Sequence, residues 1–551
     1  MSPVTAVSEL NVSRHLRERA LERPEQLAVQ GPDGRALSFG QLEERCNAIA
    51  RGLVDLGLRR GDRTCLFVRP SPELIAITHA LFRIGAVPVL IDPGMGRRNL
   101  LASVERVRPR ALIGLPAIHV ARLLFPRAFR SVEIAVNVGK RAVFGGSSLA
   151  SLASPKRRAR TSTRPFEIAG TGPDDEAAIL FTSGSTGPPK GVLYTHGNFV
   201  AQLDALRELY DLRRGEVDAA CFPLFALFDN ALGMSSVFPD LDPSRPGSCD
   251  PARVFGDIER CGATFSFGSP AIWRRLLAWM RPRGERFRLL ERITIAGAPV
   301  PPSLVEGLRS VMVPGGEVHT PYGATEALPV SSLSGAELAG DVRARVEGGE
   351  GTCVGRPAPG IEIRLIRIAD EPLERWSDDL EVARGEPGEV CVRGAVVTRE
   401  YEHEPLYTAS AKIPDGAGFW HRMGDVGHFD ADGRLWLRGR KSHRLETRRG
   451  LLMPVPLENV FNTVAGVRRS ALVGVGQRGV ERPFLVVEPE RGVRRAELEP
   501  RLRAKRDGLP PRAGAACVEG FLFKRDFPVD VRHNAKIHRQ ELKRWAQRRL
   551  A

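Results

Sequence analysis

Residues 177–191 read AAILFTSGSTGPPKG, an apolar run that leads directly into a loop of glycine, serine and threonine. The run predicts a buried β-strand, and the loop offers hydroxyl donors and backbone N–H groups that no Cβ atom obstructs. Lys190 adds a mobile positive charge suited to a polyphosphate. The Walker A spacing is absent, and an ordinary flexible loop is the alternative. The residues expected to bind phosphate are Thr182, Ser183, Gly184, Ser185, Thr186 and Gly187.

Lysine is scarce in this chain, which makes Lys190 conspicuous. Nine of the 81 basic residues are lysine, and the formal net charge is +16. A basic balance suits anionic partners such as nucleotides, nucleic acid or acidic membranes, but arginine-rich usage is the simpler explanation. The stretch 147–165 is rich in Ser, Thr and Arg and predicts an exposed loop. A nucleic-acid or phospholipid patch is the alternative for its basic run at 156–160, but no aromatic residues are interleaved with the charges, as binding of single-stranded nucleic acid would require.

Length and composition indicate a globular protein with more than one domain. The chain has 551 residues, of which 42% are hydrophobic and 26% charged. Helical segments alternate with short apolar strands over residues 12–170, which predicts an α/β fold. His79, Arg83 and Gly85 interrupt the apolar stretch 74–91, so we expect a helix followed by a buried strand and not a membrane span. Eight scattered cysteines and an N-terminus unlike a signal peptide favour a cytoplasmic location.

A change in pattern near residue 430 predicts a domain boundary. Asp432 and Gly433 form a hairpin-turn signal, and Gly439-Arg440 follows shortly after it. The remaining residues are enough for a small domain of their own. We therefore predict an N-terminal α/β domain over residues 1–438, a hinge at 439–442 and a small, mobile α+β C-terminal domain over 443–551.

The loop at 182–191 resembles the phosphate loop of the adenylate-forming superfamily, which includes acyl-CoA synthetases, peptide-synthetase adenylation domains and luciferases. Further elements follow in the superfamily's order: GAP at 297–299, YGATE at 322–326, MGD at 423–425 and NAKI at 534–537. Several elements in the right order are hard to produce by accident. The resemblance implies an AMP-binding domain, ATP and Mg²⁺ as cofactors, and activation of a carboxylic acid as its acyl-AMP.

The resemblance also implies a role for individual residues. Thr325 would contact phosphate, and Glu326 would hold Mg²⁺ through a hard carboxylate oxygen. Asp425 would hold the ribose hydroxyls, joined by Arg440, and Lys536 would bridge the attacking carboxylate and the α-phosphate. Taken singly, Asp425 could be a turn residue and Lys536 a surface lysine. The implied catalytic residues are Lys190, Thr325, Glu326 and Lys536, and the implied nucleotide contacts include Gly297, Ala298, Pro299, Tyr322 and Gly323.

Two departures from the superfamily pattern weaken the case for CoA as acceptor. Ala226 stands where acyl-CoA synthetases commonly carry a histidine, and residues 440–450 read RKSHRLETRRG in place of the usual Arg-x-Asp-Asp and Lys-x-x-Gly. The longer stretches 222–233, 267–271 and 527–536 instead resemble one subgroup, the olefin β-lactone synthetases of bacterial long-chain hydrocarbon biosynthesis. Residues 296–302 resemble the same subgroup.

This subgroup resemblance implies a reaction without an external acceptor. A 2-alkyl-3-hydroxyalkanoic acid would be adenylated, and its own 3-hydroxyl would displace AMP to close a β-lactone, aided by the proximity of the two groups. His196, His319 and His421 lie near motif elements, but a lone histidine is more often structural than a base. The implied partners are a pathway reductase and a β-lactone decarboxylase, with peripheral membrane contact and no nucleic acid.

Three alternatives stay open on the sequence alone. A long-chain fatty acyl-CoA synthetase and a fatty acyl-AMP ligase that loads a carrier protein share the adenylation step. A nucleotide-binding scaffold without turnover belongs to a different class. The presence of Lys190, Glu326, Asp425 and Lys536 weighs against the scaffold, because each stands where catalysis in the superfamily requires it.

Overall fold

The computed structural model describes residues 10–154, 164–181, 189–509, 515–529 and 537–550. Across these ranges no helix combines the length and apolar character needed to cross a bilayer. All eight cysteines carry free thiols. The basic run at 156–160 lies outside the described residues.

The first part of the chain alternates strands and helices, as its hydrophobic pattern predicts. The strands are β1 (Leu27–Gln30), β2 (Ala36–Ser38), β3 (Arg63–Phe67), β4 (Val87–Leu90), β5 (Ala111–Gly114), β6 (Ile134–Asn137), β7 (Ser147–Ser148), β8 (Glu176–Phe181) and β9 (Gly191–Thr195). The helices are α1 (Ser13–Glu22), α2 (Phe39–Asp55), α3 (Pro72–Ile84), α4 (Arg97–Val107), α5 (Pro116–Leu124), α6 (Leu149–Leu152) and α7 (His196–Tyr210). Seven strands form a sheet in the order β7-β6-β5-β3-β4-β8-β9, parallel except for β9.

The middle of the chain contributes a second, larger sheet and a third that is antiparallel. Its strands are β10 (Val217–Ala219), β11 (Ser235–Val237), β12 (Phe265–Gly268), β13 (Arg292–Ile295), β14 (Glu317–Ala324), β15 (Ala327–Ser334), β16 (Thr352–Cys353), β17 (Arg356–Pro357), β18 (Glu362–Ile366), β19 (Gly388–Arg393), β20 (Lys412–Asp415), β21 (Gly418–Phe429) and β22 (Leu435–Arg440). Its helices are α8 (Ala226–Leu232), α9 (Pro251–Arg260), α10 (Pro270–Met280), α11 (Pro302–Arg309), α12 (Gly335–Leu338), α13 (Asp341–Glu347) and α14 (Pro405–Ala411).

The second sheet has nine strands in the order β17-β15-β14-β13-β12-β10-β11-β1-β2. Strands β10 to β14 run parallel to their neighbours, whereas β15 returns antiparallel to β14. The third sheet has the order β16-β22-β21-β19-β18, with β20 paired to β21. Ligands of open parallel sheets bind beyond the carboxyl ends of the strands, so the loops after β10, β12 and β13 mark one crevice.

The predicted helix and buried strand within residues 74–91 correspond to α3 and β4. Arg83, which interrupts the apolar run in sequence, is completely buried. Its guanidinium donates to Ser13 Oγ at 3.0 Å and to Asn47 Oδ1 at 2.5 Å, and it pairs with the Glu43 carboxylate. A buried charge is tolerated only when it is paired and hydrogen-bonded, so the polar break strengthens the packing of α3 against α1 and α2.

The prediction of an exposed loop over residues 147–165 is wrong at its beginning. Residues 147–148 form β7 and residues 149–152 form α6, in which Leu149 and Leu152 are buried. A Cβ atom on Gly52 of α2 would lie 2.8 Å from Leu152 Cβ, so the glycine permits the close approach of the two helices. Two leucines one helical turn apart are a weak signal in sequence because their partner lies about 100 residues away.

The last part of the chain contains elements with a core of their own. They are β23 (Leu445–Thr447), β24 (Gly450–Leu452), α15 (Pro454–Phe461), β25 (Val467–Val475), β26 (Arg482–Pro489), α16 (Arg495–Asp507), β27 (Gly520–Phe523) and α17 (Arg539–Leu550). Strands β25, β26 and β27 form one sheet, and two hydrophobic clusters consist entirely of residues from 445 onward. An independent core is what the predicted C-terminal domain requires.

Ion pairs connect this last part to the rest of the chain. Arg444 Nη2 lies 2.5 Å and Arg478 Nη2 2.8 Å from Asp370 Oδ2. Just before them, Lys441 Nζ lies 2.9 Å from Glu389 Oε1. The arginine pairs hold the Asp370 carboxyl ionised and its pKa below the ordinary value. We call the Asp370, Arg444 and Arg478 contact the ionic latch.

Candidate active site

The hairpin of β14 and β15 presents Thr325 and Glu326 at its tip. Ala324 and Ala327 pair across the hairpin, which leaves the two residues between them in the turn. The Glu326 carbonyl accepts hydrogen bonds from the Thr398 N–H at 2.9 Å and from Thr398 Oγ1 at 3.1 Å. Tyr194 Oη of β9 donates to the Thr325 carbonyl. The tip is therefore fixed to two other parts of the chain before any ligand binds.

The carboxylate of Glu326 is oriented by Tyr401. Tyr401 Oη donates to Glu326 Oε1 at 2.6 Å, and Tyr401 is itself buried. Lys190 Nζ lies 3.7 Å from the centre of the Tyr407 ring and 5.2 Å from that of Tyr401, within the range of cation–π attraction. Burial lowers the pKa of Lys190, while the carboxylates of Glu326 and Glu404 act in the opposite direction. Lys190 and Glu326, predicted to contact phosphate and metal, thus share one electrostatic environment.

Asp425 of β21 is the centre of a second cluster of polar side chains. Its Oδ2 accepts a hydrogen bond from Tyr322 Oη at 2.7 Å, and its Oδ1 lies 3.2 Å from Arg440 Nε. Asp425 and Arg440 face each other in the β21–β22 ladder, and Arg440 Nη1 also donates to the Met423 carbonyl at 2.9 Å. The Asp425 charge raises the pKa of Arg440, and burial raises that of Tyr322. Each carboxylate oxygen retains a lone pair, so Asp425 can still accept from two ligand hydroxyls.

Four other predicted nucleotide contacts lie after β13 and on β14. Gly297, Ala298 and Pro299 follow the carboxyl end of β13, and Gly323 lies on β14 directly after Tyr322. Gly297 and Pro299 are exposed, and Ala298 is half-buried. Neighbouring parallel strands bring these loops to the same edge of the sheet, as the crevice rule expects.

Seven of the predicted residues fall outside the part of the chain that the structure describes. Their flanks are described: β8 ends at Phe181, and the Pro189 carbonyl accepts a hydrogen bond from Arg106 Nη1 at 3.1 Å. Val529 and Ile537, on either side of residues 530–536, form an isolated antiparallel bridge. The residues concerned are Thr182, Ser183, Gly184, Ser185, Thr186, Gly187 and Lys536.

Lys412 is a site residue that the motifs do not reveal. It begins β20 opposite His421 of β21, is almost fully buried, and donates from Nζ to the Thr398 carbonyl. Burial lowers the pKa of Lys412 to about 7, against the attraction of the Glu326 carboxylate. Because Thr398 also holds the Glu326 backbone, Lys412 supports the turn from behind. Lysine is rare in this chain, with nine residues, and this was the one signal in the sequence; no recognisable motif adjoins Lys412.

The three histidines near the motifs have structural surroundings. Burial lowers the pKa of His196 to about 4, and its Nδ1 accepts the Val12 N–H at 3.3 Å. His319 packs edge-on to Tyr210 with ring centres 5.1 Å apart, and burial lowers its pKa. His421 Nδ1 lies 3.2 Å from the Ala411 carbonyl, and burial with the Lys412 charge depresses its pKa. These imidazoles are neutral at pH 7 and weakly basic.

An aromatic wall stands at the carboxyl ends of β10 and β12. Phe225 packs against Phe228 and Phe267 with ring centres 5.9 and 5.0 Å apart, and Phe222 lies 5.2 Å from Phe267. Phe222 and Phe228 are only partly buried, so part of the apolar surface of the wall remains accessible. Ala226, at the position of the expected histidine, is fully buried at the start of α8. A long alkyl chain is the kind of ligand such a wall suits.

Behind the wall lies a pair of completely buried carboxyls, Asp218 and Asp229. Ser236 Oγ lies 2.9 Å from Asp229 Oδ2. Burial and the presence of the second carboxyl raise the pKa of Asp218 well above its ordinary value, and burial raises that of Asp229 to about 7. Two buried like charges are costly, so the folded protein keeps the pair at least partly protonated. The sequence does not reveal this pair, because it depends on the register of α8 against β10.

Comparison with known proteins places this geometry in context. A sequence model described as AMP-binding enzyme matches residues 16–402. The chain is 46% identical to an olefin beta-lactone synthetase of Stenotrophomonas maltophilia and 44% identical to one of Xanthomonas campestris pv. campestris; the alignments cover 98% and 97% of both chains. The amide bond synthetase McbA from Marinactinospora thermotolerans has a similar fold, with a TM-score of 0.79 and 24% identity over 97% of this chain and 99% of the other.

Proposed function

The chain belongs to the AMP-binding enzyme family and is an adenylate-forming ligase; we propose that it uses ATP to convert a 2-alkyl-3-hydroxyalkanoic acid into a β-lactone, AMP and diphosphate. The proposal is carried by one combination of observations. Glu326 and Asp425 are each held by described side chains in a way that suits adenylation, while Ala226 stands where the CoA-dependent pattern has a histidine. End-to-end similarity to two olefin beta-lactone synthetases supports the same choice.

In the first step a carboxylate oxygen of the acid forms a bond to the α-phosphorus of ATP, and the bond to diphosphate breaks. Residues 182–187 and Lys190 would hold the departing phosphates through N–H, hydroxyl and ammonium groups. Asp425 would accept the ribose hydroxyls, and Lys536 would stabilise the charge that develops between carboxylate and α-phosphate. Thr325, next to Glu326, would contact the phosphate.

The residues around Glu326 fit a magnesium ion bound to ATP. Mg²⁺ is usually held in proteins by one or two carboxylates together with substrate phosphates and water, and the described residues contain no larger cluster of metal ligands. Tyr401 occupies one lone pair of Glu326 Oε1, which leaves acceptor capacity on both carboxylate oxygens. The ion would neutralise phosphate charge, and Tyr401 and Thr398 would keep Glu326 in place.

In the second step the 3-hydroxyl oxygen of the bound acyl-AMP attacks the acyl carbon. A C–O bond of the four-membered ring forms, the bond to AMP breaks, and the hydroxyl proton is released. Holding both groups in one pocket supplies effective molarity for this ring closure. The aromatic wall of Phe222, Phe225, Phe228 and Phe267 would bury the alkyl chains and exclude the water that would hydrolyse the acyl-AMP.

The region around residue 440 also favours a reaction without CoA. Where the superfamily pattern has two aspartates, this chain has Ser442 and His443, and the preceding Lys441 is paired with Glu389. We propose that residues 439–442 are a hinge between a domain at 1–438 and a C-terminal domain at 443–551, which would carry Lys536 to the phosphates. A cytoplasmic enzyme of olefin biosynthesis, working with a reductase and a β-lactone decarboxylase, fits this assignment.

The test is product analysis by mass spectrometry and NMR, using a synthetic 2-alkyl-3-hydroxy acid with ATP and Mg²⁺. We expect a β-lactone, AMP and diphosphate at the same rate with and without CoA. A simple fatty acid, which has no internal nucleophile, should stop at the adenylate and turn over slowly. CoA-dependent thioester formation from the simple acid would favour an acyl-CoA synthetase, and absence of diphosphate release with any acid would favour a nucleotide-binding scaffold.

A further inference from the structure

Helix α5 carries three large apolar side chains that the described chain leaves exposed to solvent over much of their surface. Leu123 and Leu124 are 55% and 68% exposed, and Val120 is 40% exposed. The spacing i, i+3 and i+4 places the three side chains in one sector of the helix surface. His119 anchors the helix to the sheet, with its Nε2 3.2 Å from the Val136 carbonyl. Single exposed leucines are common, but a contiguous cluster on a rigid helix indicates a contact surface.

Phe144 is a further exposed apolar side chain, on a loop that contacts α5. Arg122 Nη2 of α5 donates to the Phe144 carbonyl at 2.9 Å, which joins the loop to the helix. Phe144 has a φ of 50°, a left-handed conformation that bulky residues rarely adopt, and its side chain is 48% exposed. Phe144 therefore combines a strained backbone conformation with an aromatic ring that is about half exposed to solvent. We call Val120, Leu123, Leu124 and Phe144 the α5 patch.

The chain segment that carries the α5 patch is basic, and one of its arginines, Arg127, is paired with Glu105 of α4 at 3.0 Å. Residues 116–145 contain five lysines and arginines and a single acidic residue, Glu133, giving a net charge of +4. Arg127, Lys140 and Arg141 are exposed. At the start of α4, the Arg97 guanidinium lies 5.7 Å from the centre of the Phe125 ring. Apolar side chains surrounded by cations match the interface of an anionic bilayer, where acyl chains accept the first and lipid phosphates the second.

We propose that the α5 patch docks the enzyme on an anionic membrane surface, with Leu123, Leu124 and Phe144 inserted into the interface. The surrounding arginines and Lys140 contact lipid phosphates. This inference rests on the proposed function, because docking is useful to the enzyme if its substrate is an acid with two long alkyl chains. Such an acid resides in the bilayer and not in water. Docking on that surface brings the enzyme to its substrate and allows the apolar product to return to the lipid.

The test is co-sedimentation of the full chain with phosphatidylcholine vesicles, with and without a third of phosphatidylglycerol. We expect binding to the anionic vesicles, weak binding to the neutral ones, and loss of binding as salt rises from 50 to 500 mM, because counter-ions screen the surface charges. The double variant Leu123→Glu/Leu124→Glu should bind at least about tenfold more weakly, since each leucine loses its transfer into the interface. Lys140→Glu/Arg141→Glu should remove the preference for anionic lipid.

Leu21→Glu is the matched control, because Leu21 is a leucine 79% exposed on α1, away from the basic segment. It should bind vesicles as the wild type does. Thermal melting of each variant and diphosphate release with a detergent-dispersed acid check that the variants are folded and active. Equal binding of the wild type to neutral and anionic vesicles, or full binding by the double-leucine variant, would overturn the inference. Because sedimentation needs no ATP, its outcome is independent of whether a lactone is formed.

Discussion

Tyr322→Phe tests the nucleotide cluster most directly, because it removes one oxygen atom and keeps the ring. The lost group is the hydroxyl that donates to Asp425 Oδ2 at 2.7 Å in a buried setting. A hydrogen bond to a charged group contributes about 1.5–3 kcal/mol, and the remaining Arg440 contact places the cost near the lower value, about 1.5 kcal/mol. Because this hydrogen bond forms without ATP, it affects binding through the orientation of Asp425. If the ribose contact requires that orientation equally in the ground state and the transition state, the loss appears as a rise of about tenfold in KM for ATP.

The assay is diphosphate release at saturating acid over a range of ATP concentrations. We expect KM for ATP to rise about tenfold while kcat changes less than threefold, a pattern typical of uniform binding. Tyr210→Phe is the control, since Tyr210 is another buried tyrosine and contacts His319 instead of Asp425. An unchanged KM for ATP, or a fall in kcat alone, would refute the assignment of Asp425 to the ribose.

Three further changes test other parts of the site. Lys536→Ala should lower adenylate formation by several orders of magnitude with ATP binding nearly intact, measured by diphosphate release and calorimetry; wild-type activity would remove Lys536 from the mechanism. Lys412→Met should raise the Mg²⁺ concentration for half-maximal rate about threefold to tenfold, because Thr398 loses a support behind Glu326; a magnesium titration matching the wild type would contradict this. The raised pKa of Asp229 means that its contribution to stability is present below pH 4 and is lost as pH rises to about 7. Asp229→Asn should therefore melt higher than the wild type at pH 8 and similarly at pH 4, and parallel melting curves across pH would count against the buried pair.

Local patterns predicted the fold well because the deciding signals were local. The apolar run before residue 182 is β8, the interrupted stretch at 74–91 is α3 followed by β4, and Asp432 and Gly433 lie in the turn between β21 and β22. Among the described motif residues, Asp425 and Arg440 lie on neighbouring strands and face each other in the β21–β22 ladder. Each of these signals spans a few residues, and strand pairing then brings the residues together.

Residues that act through long-range contacts could not be predicted in this way. Lys412 reaches the Glu326 turn because β20 pairs with β21 and because Thr398, which binds the Glu326 backbone, accepts its hydrogen bond. The residues next to Lys412 in sequence indicate neither contact. Asp218 and Asp229 become a pair only once α8 packs on the sheet. The sequence around Leu149 and Leu152 predicts a polar loop. In the structure both leucines are buried, because Gly52 of α2 leaves space beside Leu152. Burial of this kind depends on partners distant in sequence, which a periodicity does not encode.

If residues 439–442 act as the proposed hinge, the ionic latch makes ionic strength a means of controlling how residues 443–551 are placed. Asp370 and Arg478 keep about half or more of their side chains exposed, so their pair contributes at most about 1 kcal/mol, whereas the Arg444 side chain of the second pair is mostly buried. Added salt weakens such contacts without altering any residue, so low salt favours the conformer in which residues 443–551 remain docked. Spectroscopic labels on the two sides of the latch would then report a conformer ratio that shifts with sodium chloride. Asp370→Asn would reproduce the high-salt ratio in dilute buffer.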